Sequence, residues 1–312
     1  MLIAATLIAI CALFYLLCKS ADVVVTQIRS LGHRFGVPLS FLGIVLGLLT
    51  TLPELSIGVN AIIENIPSIS IGNLLGGIMV IFGLIFGGSI ILNREIATDG
   101  KIWHILPFFA YILVAMIMGL DGKFSETDGI ILMVIYLGIL FSLYEKYHKQ
   151  ELLKHMPTIH HHRISKHIVY IILGVTAVVV LAKAIISLSA ELLKAFDVSI
   201  FVIGLIVFSI GTNLPEIIVT IRSWRRHIKE LSTSSLIGSA IANPFMIGLL
   251  ALLHPIYITV DFSYYLTMAF IALLFSAFLV FYKTNRQLTA REGVILIAIY
   301  VFFIISQFLY AF

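Results

Sequence analysis

Two five-residue stretches decide the fold: Thr50-Thr51-Leu52-Pro53-Glu54 and Thr212-Asn213-Leu214-Pro215-Glu216. Their offset is 216 − 54 = 162, and at the same offset Leu74-Leu75-Gly76 returns as Leu236-Ile237-Gly238. The register holds across two consecutive apolar runs, which chance rarely supplies. Outward from these stretches, apolar runs lie at roughly 2–18, 38–62, 69–92, 103–119, 129–144, 167–190, 200–221, 234–253, 263–282 and 293–312. About 20 apolar residues cross a bilayer as a helix, so these ten runs read as ten transmembrane helices.

Composition points the same way. Of the 312 residues, 60% are hydrophobic and 12% charged, against about 25% charged in soluble domains. That excludes an ordinary soluble enzyme and leaves no length for a separate soluble domain. The net charge of +4 bears on membrane topology, not on nucleic acid. Cys11 and Cys18 share one apolar run and are too few for a disulfide framework. The first run has no basic n-region, so it is expected to be a mature helix and not a secretory leader.

Five runs fall in each half, with residues 1–144 as the first repeat and 167–312 as the second. An odd number of crossings turns the second copy upside down. The expected architecture is an all-α integral membrane protein of two inverted five-helix repeats around a midplane site. Of 20 Lys and Arg residues, 16 lie in the odd-numbered loops, while the even loops hold only Lys123 and Lys194. Positive charge collects on the cytoplasmic side, which places the odd loops inside the cell and both termini outside. The polar stretch 145–166 becomes a central cytoplasmic loop. Its histidines, with His160, His161 and His162 in a row, read as part of a solvated linker; transition-metal binding is the alternative.

The doubled motif carries the chemistry. Glu54 and Glu216 are read as the acids deep inside predicted spans, where ionisation costs at least a few kcal/mol without a partner. No Lys or Arg stands at matching depth, and a charge of −2 suits a divalent cation. Pro53 and Pro215 lack an N–H, so the carbonyls of Leu49 and Gly211 lose helical partners and those of Thr50 and Thr212 loosen. With the hydroxyls of Thr50, Thr51 and Thr212 this makes an oxygen-rich site without sulfur or imidazole. Such a site suits Ca²⁺, Na⁺ or Mg²⁺, not zinc or copper. Ser209, Asn213, Ser239 and Asn243 join the candidate ligands, as does Asn73, whose rival role is an interhelical hydrogen bond. Gly76, Gly77 and Gly238 are expected to let helices pack closely.

The two Leu-Pro-Glu motifs, with Gly72-Asn73-Leu74-Leu75-Gly76 and Gly238-Ser239, resemble the alpha repeats of the calcium/cation antiporter superfamily. Within it the prokaryotic sodium/calcium exchangers are most similar, and the resemblance covers the whole chain. It implies that Glu54 and Glu216 bind Ca²⁺ and share in Na⁺ binding, with the carbonyls of Thr50 and Thr212 completing the calcium site. It gives Thr51 and Ser239 sodium-ligating hydroxyls, and implies alternating access by sliding of the first and sixth helices. Four positions depart from the pattern: Gly77 stands for a serine, Ile81 for a polar residue, Asn243 for an acid and Asn213 for a serine. The expectation is a monomeric Ca²⁺/Na⁺ antiporter in the cell membrane with no cofactor, no nucleic-acid partner and no enzymatic activity. Proton coupling is the alternative, and a cation channel is less favoured.

Overall fold

Backbone polar groups inside a bilayer must bond within their own segment, which favours helices, and the chain follows that rule. The computed structural model describes residues 2–34, 50–98, 100–151, 164–195, 199–214, 216–217, 220–221, 230–283 and 286–311. In the first half these form α1 (Leu2–Arg34), α2 (Leu52–Ile63), α3 (Ser68–Asn93), α4 (Leu106–Met118) and α5 (Glu126–Glu151). The second half holds α6 (Ile164–Ala195), α7 (Ile200–Thr212), α8 (Glu230–Leu253), α9 (Phe262–Lys283) and α10 (Ala290–Ala311). Among the described residues six helices contain stretches long and apolar enough to cross a membrane: α1, α3, α6, α8, α9 and α10. Shorter apolar helices are α2, α4 and α7.

The core sits around α3, whose membrane-length stretch is 83% buried, against 33% in α1 and 28% in α6. Glycines let α3 and α7 touch. A Cβ on Gly72 would strike the Phe201 carbonyl oxygen and one on Gly76 that of Leu205, while Gly204 of α7 faces the Ile69 carbonyl. Each helix carries a wider π-helical segment, Val80–Phe86 in α3 and Gly204–Phe208 in α7. Beyond α3, Phe82 packs edge-on against Phe109, Phe275 and Phe278 of α4 and α9. The buried Tyr264 hydroxyl donates to the Met116 carbonyl at 2.7 Å, tying α9 to α4. A second, smaller core joins Phe14 and Leu17 of α1 to Ala182 and Ile186 of α6, with Ile57 of α2 and Phe208 of α7.

Short antiparallel strands tie the loops together. β1 (Glu95–Ala97) pairs with β4 (Gln287–Thr289), and β2 (Lys123–Phe124) pairs with β3 (Ile256–Tyr257). Thr98 reinforces the first pair, its amide donating to the Arg286 carbonyl and its hydroxyl to that of Tyr282.

Two boundaries differ from the sequence reading. The first helix does not stop near residue 18 but continues to Arg34, carrying Lys19 and Asp22 in mid-helix. The 145–166 stretch is helical at both ends, since α5 runs to Glu151 and α6 starts at Ile164. Residues 152–163, which include His155, His160, His161 and His162, lie outside the described residues. His167 lies 2.6 Å from the side-chain oxygen of Gln27 on α1.

Candidate ion-binding site

The two motifs bend the chain in the same way. Thr51, just before α2, has φ −90° and ψ 12°. Asn213, just after α7 and one repeat spacing on from Thr51, has φ −87° and ψ 10°. This bridge region is sparsely populated and common at functional sites. Past each bend the helix is re-entered identically: the amide of Leu55 donates to Thr51 at 3.0 Å, and that of Ile217 to Asn213 at 3.1 Å. Pro53 stands in the first turn of α2, where a missing N–H costs nothing. The expected break is therefore placed at Thr51 and Asn213, with Pro53 inside the following helix. Pro215, Leu49 and the rest of 35–49 lie outside the described residues.

The carboxylates of both motifs converge. Glu54, only 4% exposed, and Glu216 lie close enough for their charges to interact, with the Thr212 side chain beside Glu54. Each has an oxygen, Oε2, that is buried and lacks a hydrogen-bond partner among the described residues. A buried carboxylate oxygen without a donor is costly, and a cation would satisfy both. Among the described residues no three His, Cys, Asp or Glu side chains come together as a metal-binding group. Further ligands for such a cation would be carbonyls and hydroxyls.

Around the carboxylates the polar groups bridge helices. Thr212, fully buried, donates its hydroxyl to Asn73 Oδ1 at 3.1 Å, joining α7 to α3. The Asn73 amide nitrogen has no partner among the described residues. Asn213 donates to the Ser209 carbonyl at 2.8 Å, and Asn243 of α8 to the Leu74 carbonyl at 2.8 Å. Ser209 bonds back to the Leu205 carbonyl of its own helix at 2.6 Å. Thr51 and Ser239 are buried and Thr50 is half-buried.

The expected packing glycines divide into three cases. Gly76 meets backbone, as described above. A Cβ on Gly77 would instead lie 2.8 Å from Asn243 Nδ2 and 3.2 Å from Asn213 Nδ2. The space above Gly77 is thus taken by two carboxamides. At Gly238 no atom of the described residues lies within 4 Å of a Cβ.

Sequence reasoning missed α1. The thiol of buried Cys18 lies 3.5 Å from the carbonyl oxygen of Gly211 and 3.9 Å from that of Thr212. Gly211 and Thr212 close α7, and the thiol is a weak donor to their carbonyls. Asp22 lies four residues, about one turn, further along α1. The available signal is the helix register: an α1 matched to α6 over its full length puts Asp22 inside a span.

A family model described as sodium/calcium exchanger protein matches residues 5–144 and 166–309. The chain belongs to the sodium/calcium exchanger family. The exchanger MaX1 of Methanosarcina acetivorans is 25% identical to this family member, over 94% of the chain and 95% of MaX1. An uncharacterized membrane protein of Methanocaldococcus jannaschii is 28% identical over 64% of the chain and 65% of its own length. Among solved structures, the sodium-calcium exchanger NCX_Mj soaked with Na⁺ and Sr²⁺ shares the fold. Its TM-score is 0.66 at 23% identity, covering 97% of this chain and 98% of that one. The membrane-spanning helices and the antiporter fold of the family are therefore those of this chain.

Proposed function

We propose that the chain is a secondary active antiporter that exchanges Ca²⁺ for Na⁺ by alternating access at the Glu54–Glu216 site. One observation carries the reading: two carboxylates, each with a buried oxygen that has no partner among the described residues and each beside the same backbone bend, at positions related by the repeat. Their charge of −2 balances one Ca²⁺. In the return step monovalent cations balance it instead. The oxygen-only surroundings suit hard cations. The relatives' sodium/calcium exchange favours Na⁺ as counter-ion, and protons are the second reading. Low pH slows transport, because a proton on either glutamate removes half the site's charge.

We assign the site Glu54, Glu216, Thr50, Thr212, Thr51, Ser239, Asn213, Ser209 and Asn243, in ten spans forming two inverted repeats. The strand pairs support that topology. β1 and β4 lie in the third and ninth loops, β2 and β3 in the fourth and eighth, so odd meets odd and even meets even. With basic residues concentrated in odd loops, these face the cytoplasm and the termini face outward. The chain works as a monomer in the cell membrane. The test is uptake of radiolabelled Ca²⁺ into proteoliposomes under an imposed Na⁺ gradient and, separately, a pH gradient. Saturable uptake that needs the Na⁺ gradient is expected. Uptake driven by the pH gradient alone transfers the coupling to protons, and uptake needing neither makes the protein a channel.

A further inference from the structure

The β1–β4 ladder holds the loop after α3 against the loop after α9, and a groove lies beside it. A 3₁₀ turn, Ile102–His104, leads toward α4. Its Ile102 lines one wall, and Leu279, Val280 and Lys283 of α9 line the other, around a volume of about 510 Å³. Lys283 ends the membrane-length stretch of α9, so the groove opens at the membrane surface. Leu279 and Val280, four and three residues earlier, share that face of the helix and stand about 4.5–6 Å deeper. Val280 is 62% exposed, and Trp103, next to Ile102, is 81% exposed. Apolar chains bare at this depth face lipid, and tryptophan favours the headgroup level.

Two cations stand at the mouth. Besides Lys283 there is Arg286, whose Cγ lies 3.1 Å from where a Cβ on Gly100 would stand, two residues before Ile102. Both side chains are exposed, and among the described residues neither makes an ion pair. Glu292, the next acid along the chain from Arg286, already accepts from the amide and hydroxyl of Thr289. The loops tied by β2 and β3 have the reverse balance, with Asp121, Asp128 and Asp261 accompanying Lys123. We propose that the groove holds one anionic phospholipid, an acyl chain along Ile102, Leu279 and Val280 and the phosphate between Lys283 and Arg286. An apolar wall with cations at its mouth matches both parts of such a molecule. A free phosphate would leave the wall uncovered, and a zwitterionic lipid brings a cation that the pair repels. The bound lipid joins the turn before α4 to the end of α9 and so stabilises the folded chain.

The test uses the purified full chain in detergent, with lipid retention read by native mass spectrometry and Tm by thermal unfolding. Phosphatidylglycerol should be retained and raise Tm, while phosphatidylcholine with the same acyl chains and inorganic phosphate should do neither. Lys283→Gln with Arg286→Gln should weaken phosphatidylglycerol binding about 25-fold, roughly fivefold for each cation at an anionic headgroup. Val280→Trp keeps both charges but fills the groove, and should also release the lipid. Lys123→Gln should change nothing. Equal retention of the two lipids overturns the proposal, as does phosphatidylglycerol binding that survives the double variant or Val280→Trp, or an equal loss in Lys123→Gln. A Tm rise with inorganic phosphate as large as with phosphatidylglycerol gives the cations to a free anion and overturns it too. Should the double variant not fold, Val280→Trp decides alone: loss of the lipid supports the proposal and full retention overturns it. Neither readout involves ion flux, so the antiporter reading stands or falls separately.

Discussion

The two halves of the candidate site share a backbone and a charge but little else. Thr51 and Asn213 bend alike, and Glu54 and Glu216 follow each bend at the same distance. Elsewhere the first half offers Gly77 and Ile81, where the second offers Ser239 and Asn243. Ile81 and Asn243 are equally buried, at 1% and 2% exposure, yet one is a hydrocarbon and the other an amide. The repeat has kept the bend and the carboxylate that the proposed cation site needs, and differs at the pair of positions where Gly77 and Ile81 face Ser239 and Asn243. In the proposed exchanger the duplicated geometry would serve Ca²⁺, and the asymmetric positions would bear on the counter-ion.

The comparison breaks most severely at the carboxylates. Glu54→Gln and Glu216→Gln should each reduce Ca²⁺ flux in proteoliposomes at least about a hundredfold, and the double variant should be no worse, because groups acting as a unit are not additive. Near-normal flux in either purified variant would mean that the halves do not act together.

A smaller effect is expected at Gly77. Gly77→Ser puts a Cβ against both carboxamides and should lower flux about tenfold, a crowding penalty of roughly 1–3 kcal/mol. Adding Asn213→Ser removes one carboxamide and should restore most of the rate. Failure of that rescue would show that the Asn213 amide is needed for itself, not merely accommodated.

Making the halves more alike gives a milder change. Ile81→Asn with Asn243→Asp should raise apparent Na⁺ affinity a few-fold, about the 1 kcal/mol of one added polar contact, read from the Na⁺ dependence of Ca²⁺ flux. The carboxylate introduced on α8 would face the Leu74 carbonyl that Asn243 now bonds, so it needs a cation or a proton there. Unchanged Na⁺ dependence would separate this corner from the coupling ion. The smallest signal is topological. Single cysteines beside β1 and β4 should be labelled from one side of the membrane, and those beside β2 and β3 from the other.

The sequence made the helices and the bends legible because both leave local marks: long apolar runs, and a proline in front of a buried acid. Spacing extended this to the correspondence of α3 with α8. What stayed hidden depends on partners far along the chain. The apolar run of α1 is interrupted by Lys19 and Asp22, so it reads as ending near residue 18; packing on α6 carries the helix through. The strands have two or three residues each, too few for an alternating pattern. Cys18 reads as one more apolar residue until Gly211 is brought against it. The π-helical segments have no sequence mark at all.

The small ladders also govern how the protein is made. Glu95 waits for Thr289, a separation of 289 − 95 = 194 in sequence, and Lys123 waits for Tyr257, a separation of 257 − 123 = 134. At about 5–20 residues synthesised per second, the first loop edge stands unpaired for roughly 10–40 s. The first repeat is inserted through that interval without the strands that will close it. Completion belongs to the last two helices, so a chain cut short before β4 lacks a fastener as well as a span.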